Sequence, residues 1–248
     1  MTDKAAGKGL NTERRQTMGE EIANAITHGV GAVLSLGCFG VAIAFAALRG
    51  DAWRIVSASI YGFMMFLMYL SSTMYHATVC PRSKAILNII DHNAIYLMIA
   101  GSYTPFCLVA LRQHSPAWGW SVFGLIWGLA VVGVILQSVF IRRVNAFTYG
   151  NPAAPLPAFV RRFRMLSTLT YVLMGWTCVV AVYPLWRALG TMGVLGIVAG
   201  GLLYTFGVLF YALKHLKYTH AVWHLFVLGG SMVHFFTILF YVMLPMPQ

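Results

Sequence analysis

Charge is what this sequence has least of. Only 9% of its 248 residues are Asp, Glu, Lys or Arg, where a soluble domain carries about 25%. A water-soluble globule of this length cannot cover its surface with so few charges, and a disordered chain is excluded for the same reason. Acids are scarcer still, 6 against 17 Lys and Arg, for a net charge of +11. None of the four cysteines (Cys38, Cys80, Cys107 and Cys178) forms a C-x-x-C pair, and three lie in apolar runs. That argues against a cysteine zinc site and a disulfide framework, and for buried thiols behaving as small hydrophobes. The 24 glycines and 9 prolines follow no collagen period.

What the chain has instead is apolar length: 59% of it is hydrophobic. A bilayer-crossing helix needs roughly 20 mostly apolar residues. Runs of that kind cover Ile22–Leu48, Ile55–Val79, Ala85–Leu111, Trp118–Ile141, Leu166–Trp186, Met192–Leu213 and Thr219–Leu244. They are continuous rather than alternating, which suits helices and not barrel strands. The expectation is an all-α polytopic membrane protein, a bundle of seven transmembrane helices spanning residues 20–248 behind a polar, disordered head at 1–19. Expected breaks are Pro81-Arg82-Ser83, Gln113-His114-Ser115-Pro116, and a long loop from Arg142 to Arg164 that holds Asn151-Pro152, Pro155 and Pro157. The long polar start, Glu20 and Glu21, and the length of the first apolar run argue against a cleaved signal peptide.

Orientation follows from the basic residues, which favour cytoplasmic segments. With the N-terminus inside, 13 of the 17 Lys and Arg fall on the cytoplasmic side and 4 on the other. The basic excess therefore reads as topology and anionic-lipid contact, the Arg161-Arg162-x-Arg164 cluster included, and no nucleic-acid partner is expected. Trp53, Trp118, Trp120 and Trp186 near the span ends suit an interfacial aromatic belt.

Ionisable groups inside a membrane are costly and mark function by default. Asp91 is the one acid expected within a span. His220 and His224, four apart, share a helix face and can bind one metal ion. With a turn centred near Ser83, His76 and Asp91 fall at matching depth, and the last span begins at the same leaflet with His220 and His224. Three imidazoles and a carboxylate at one depth suit Zn²⁺, tetrahedral with one position left for water. The competing reading is a buried polar cluster that glues helices together. Ser72, one turn before His76, either supports a ligand, meets a substrate carbonyl, or is a small residue for close packing. His234 lies ten residues beyond His224, in a cavity, a proton relay or the core. His28 and Asn24, in a stripe with Glu20 or Glu21, are either an outer shell of the site or the polar end of the first helix.

These motifs carry a resemblance. Ser72-x-x-x-His76, Asp91 opening Asp-His-Asn-Ala-Ile-Tyr-Leu-Met-Ile-Ala-Gly-Ser-Tyr-Thr-Pro, and His220-Ala-Val-Trp-His224 with His234 are similar to the progestin and adipoQ receptor superfamily. The opening Glu20-Glu21-Ile-Ala-Asn24-Ala-Ile-Thr-His28-Gly resembles its bacterial hemolysin III branch in particular. The resemblance implies a seven-helix bundle with a cytoplasmic N-terminus in the inner (plasma) membrane. It implies Zn²⁺ held by His76, His220 and His224, with Asp91 contacting the zinc-bound water and Ser72 in support. Animal adiponectin receptors and alkaline ceramidases are linked to ceramide amide hydrolysis, and bacterial members to membrane-fluidity or membrane-energetics homeostasis. Because the head here is short, hormone binding is not expected.

Three functions remain in play at this point. One is an intramembrane zinc hydrolase of a lipid amide or ester, with Asp91 and Ser72 catalytic and membrane lipids as substrate; Ala221 stands where a zincin carries its glutamate, so the base comes from elsewhere. A second is a non-catalytic membrane-fluidity sensor or regulator with structural zinc. The third is a pore-forming cytolysin or transporter, ranked last because the ionisable groups gather at one leaflet.

Overall fold

A computed structural model of the chain describes residues 16–150, 158–213 and 215–244. The described residues form helices joined by short turns and contain no strand. The order is α1 (Met18–Leu48), α2 (Ala52–Ala77), α3 (Pro81–Pro105), a π-helical stretch (Phe106–Leu111), α4 (Arg112–His114), α5 (Pro116–Gly150), α6 (Ala158–Gly175), a 3₁₀ stretch (Trp176–Ala181), α7 (Val182–Ala212), α8 (Thr219–Ile238) and a final π-helical stretch (Leu239–Met243). Among the described residues, six stretches are long and apolar enough to cross a membrane: Met18–Leu48, Ala52–Ala77, Pro81–His114, Pro116–Asn145, Arg162–Ala212 and Thr219–Met243. Large apolar side chains such as Val33, Leu36, Ile135 and Leu136 point outward, as a lipid-facing surface requires.

Local chemistry sets the helix ends. Thr17 opens α1 with a capping box: its hydroxyl accepts from Glu20 N, and Glu20 Oε2 accepts from Thr17 N at 2.9 Å. Asp51 caps α2 through Trp53 N at 3.0 Å, and Pro81 takes the first position of α3, where its missing N–H costs nothing. Pro105 cannot donate to the carbonyl one turn back, and the helix answers with the π stretch Phe106–Leu111. Against that stretch lies Gly119, where a Cβ would meet Cys107 O at 2.8 Å and Arg112 N at 2.9 Å. The close approach of the two backbones therefore needs glycine.

Three expected breaks shift. The turn after α2 is Thr78–Cys80 rather than one centred on Ser83, because Pro81 already starts the next helix. The break after α4 narrows to Ser115 (φ −156°), with helix continuing through Gln113 and His114. The loop expected from Arg142 is helical to Gly150, since no proline falls before Pro152, and α6 resumes at Ala158 rather than near Leu166. The turn residues Asn151, Pro152, Pro155 and Pro157, and the expected disordered head up to residue 15, lie outside the described residues. The stretch Arg162–Ala212 is 51 residues long and is interrupted at Gly190 (φ 68°, ψ 179°), a left-handed conformation that favours glycine.

In the core, α1 packs on α2 and α8, α2 on α3, α3 on α5, and α7 on α8. Buried polar groups bridge these contacts. Tyr69 OH donates to Ser231 Oγ at 2.7 Å, which also pairs with Tyr204 OH at 2.9 Å, joining α2, α8 and α7. Trp127 Nε1 donates to Thr104 Oγ1 at 3.1 Å across α5 and α3.

Candidate metal centre

His76 is the second-last residue of α2, and His220 and His224 lie in the first turns of α8. The packing of both helices on α1 brings these ends together. One ligand atom from each of the three imidazoles lies within 4.8 Å of the others. The ring centroids are 5.1 Å apart for His76 and His220, 5.2 Å for His76 and His224, and 4.6 Å for His220 and His224. His76 and His224 are buried and His220 is half-buried.

The hydrogen bonds decide which ring nitrogen is available. Nδ1 of His76 lies 2.7 Å from Glu21 Oε2, an acceptor. Nδ1 of His224 lies 3.3 Å from the Asn24 carbonyl oxygen and 3.0 Å from Thr27 Oγ1. Thr27 Oγ1 sits 2.9 Å from the carbonyl oxygens of Ala23 and Asn24, so its own proton goes there and it accepts from His224. Carboxylate and carbonyl oxygens accept only, so both histidines carry a proton on Nδ1, and the neutral form of each ring offers its lone pair at Nε2. Nε2 of His76 and Nε2 of His224 are both buried with no hydrogen-bond partner among the described residues. An orphaned buried polar atom costs about 1–3 kcal/mol. A cation shared by those nitrogens removes that cost, and an all-imidazole donor set is one that Zn²⁺ accepts. The residues present therefore fit a zinc ion.

The other expected site residues fall at different places. Ser72 is buried one turn before His76 on α2. Asp91 lies ten residues into α3, about 15 Å along its axis from Pro81. Its described contact is with His92 Nδ1 at 3.5 Å. Asn24 Nδ2 donates to Gln16 Oε1 at 3.0 Å and comes within 3.5 Å of His76 Nδ1. His28 is buried and stacks on His224 with centroids 3.4 Å apart and rings 14° from parallel; neither of its nitrogens has a hydrogen-bond partner among the described residues. His234 stands apart from the three: its Nε2 donates to Ile197 O at 3.0 Å, and its ring lines an apolar cavity with Ser102, Tyr103, Cys107 and Trp176.

Two contacts were not read from the sequence. Thr27 as a partner of His224 had no signal beyond its helical spacing from Asn24. Glu21 was visible in the polar stripe of α1, but its grip on His76 depends on how α1 packs.

The class these features define is a multi-pass, all-helical membrane protein with a histidine cluster at one end of the bundle. The family model described as "Haemolysin-III related" matches residues 16–235, and the chain belongs to that family, the bacterial branch of the progestin and adipoQ receptor superfamily. It is 44% identical over 232 residues to "Hemolysin-3" of Bacillus cereus, covering 94% of this chain and 96% of that one. It is 44% identical over 225 residues to "Hemolysin-3 homolog" of Bacillus subtilis (strain 168), covering 91% and 95%. It is 26% identical over 234 residues to "Monocyte to macrophage differentiation factor" of Homo sapiens, covering 92% and 87%.

Proposed function

We propose that this protein is a zinc-dependent intramembrane hydrolase of a lipid amide or ester, serving membrane homeostasis in the inner (plasma) membrane. The observation that carries the reading is the pair of buried, unpartnered Nε2 atoms of His76 and His224 beside His220. The Arg162–Ala212 stretch, interrupted at Gly190, is counted as two crossings, because 51 helical residues would reach about 77 Å against a hydrocarbon core of about 30 Å. With seven crossings the two termini lie on opposite sides, and the bias of basic residues supports the N-terminus and the histidines on the cytoplasmic side.

His76, His220 and His224 would hold the ion. When bound, zinc polarises a carbonyl and brings the pKa of a coordinated water to about 7. The chain itself must supply a base. Glu21 is committed to His76 and Lys84, Glu20 to Thr17 and Tyr218, and Asp51 to the far end of α2. Asp91 is the acid left among the described residues, and we assign it the proton. Ser72 donates a hydrogen bond to the oxygen on which charge develops. An acyl chain reaches the site from the bilayer.

The test is hydrolysis of lipid amides and esters by pure protein in micelles. Asp91→Asn is expected to keep one metal ion and lose turnover by at least about 100-fold. A second reading has one observation in its favour: the three histidines come from two helices wired together by α1, as a structural staple would be. A metal-loaded wild type that turns over no lipid amide or ester, and unfolds on chelation, would favour the staple.

A further inference from the structure

Within the metal-site reading just proposed, α1 contributes no ligand yet touches both helices that do. Glu21 is the centre of this contact. One of its oxygens, Oε2, takes the Nδ1–H of His76 at 2.7 Å, and the other, Oε1, lies 3.0 Å from Lys84 Nζ. Lys84 donates in turn to the carbonyl oxygens of Tyr75 and Thr78, each at 3.3 Å, and its ammonium stands 4.8 Å from the centre of the Tyr75 ring. A cation there satisfies the last carbonyls of α2, the helix that carries His76. The carboxylate is thus held on one side by a lysine that also fastens the ligand's own helix. The neighbouring Glu20 reaches the other ligand-bearing helix, accepting from the backbone N–H of Tyr218 at 3.0 Å, where α8 begins without a side-chain cap.

We infer that Glu21 is a positioning residue of the metal centre: held by Lys84, it fixes His76 as the Nδ1–H tautomer with Nε2 aimed at the ion. A carboxylate behind a ligating imidazole orients the ring and raises its basicity, and loss of such a partner costs 10–100-fold in metal affinity. Without Glu21 the His76 ring has Asn24 Nδ2 at 3.5 Å as its remaining described Nδ1 neighbour. That group is a donor, and it would draw the proton to the wrong nitrogen.

The experiment uses the full chain in detergent micelles, stripped of metal, then titrated with Co²⁺ and competed with Zn²⁺. Wild type is expected to bind one Co²⁺ per chain with visible ligand-field bands. Glu21→Gln is expected to bind about 10–100-fold more weakly, with shifted bands, and Glu21→Asp to recover part of the loss. Should the variants fail to fold, ¹⁵N imidazole NMR of the metal-free wild type decides: His76 protonated at Nδ1 supports the inference, and His76 protonated at Nε2 overturns it. Equal affinity and identical bands in wild type and Glu21→Gln also overturn it while leaving the metal centre standing. A wild type that binds neither metal overturns the metal centre, and the role of Glu21 with it.

Discussion

Trp53 and His76 stand at opposite ends of α2, and their surroundings handle polar atoms in opposite ways. Around Trp53 the polar groups chiefly hold helices together, although Ser57 Oγ there is buried with no hydrogen-bond partner among the described residues. Arg54 is buried and donates from Nε to Val242 O at 3.1 Å, tying the start of α2 to the end of the chain's last helical stretch. The Arg112 guanidinium lies 4.4 Å from the centre of the Trp53 ring, which meets Trp120 edge-on at 5.7 Å. Around His76 the bonding is just as dense, but it all runs to the back of the rings. Glu21, Thr27 and the Asn24 carbonyl occupy Nδ1, and Nε2 of His76 and His224 stay open. Buried polar groups are nearly always paired. Open lone pairs on neighbouring rings are what the proposed metal centre requires.

Substitutions at the Trp53 end should cost stability and leave metal content alone, those at the His76 end should cost metal content, and an opposite outcome at either end would break the contrast. The largest stability effect is expected from Arg54→Ala, about 1.5–3 kcal/mol for a hydrogen bond from a charged donor, read as reversible unfolding in mixed micelles. Metal bound per folded chain should not change. Gly119→Ala should cost about 1–3 kcal/mol, because the added methyl meets two backbone atoms that have no side-chain freedom to yield. Tyr69→Phe, midway between the ends, should cost about 0.5–1.5 kcal/mol by removing the bond to Ser231. Trp53→Ala should remove about 0.5–1 kcal/mol of cation–π attraction, together with the packing of the ring, and lower the melting temperature least.

Much of this was legible in the sequence, and the rest was hidden for definite reasons. Continuous apolar runs announce helices of membrane length, and the structure keeps each of them within a few residues of its expected start or end, apart from the joined pair at Gly190 and the extension past Arg142. The extension was missed because Arg142 and Arg143 look like a loop by charge, although nothing before Pro152 stops a helix. That His76, His220 and His224 meet could be argued from span direction, since one turn and one helix start fall at the same end of the bundle. The turn between the second and third spans falls at Thr78–Cys80 rather than around Ser83, because Pro81 already starts α3. The partners of the histidines on α1 were beyond reach of any pattern along the chain. A stripe of Glu21, Asn24 and His28 reads equally well as a polar helix end. Only packing says that Glu21 meets His76 and that Thr27 meets His224.

The most direct test of the central claim is the metal content of protein purified without chelator in detergent, measured by elemental mass spectrometry beside His76→Ala and His220→Ala. The account predicts about one zinc per wild-type chain and its loss in both variants, with folding retained at the Trp53 end. Metal-free wild type, or zinc that persists in both variants, would contradict it and leave the histidines as a polar helix-packing cluster.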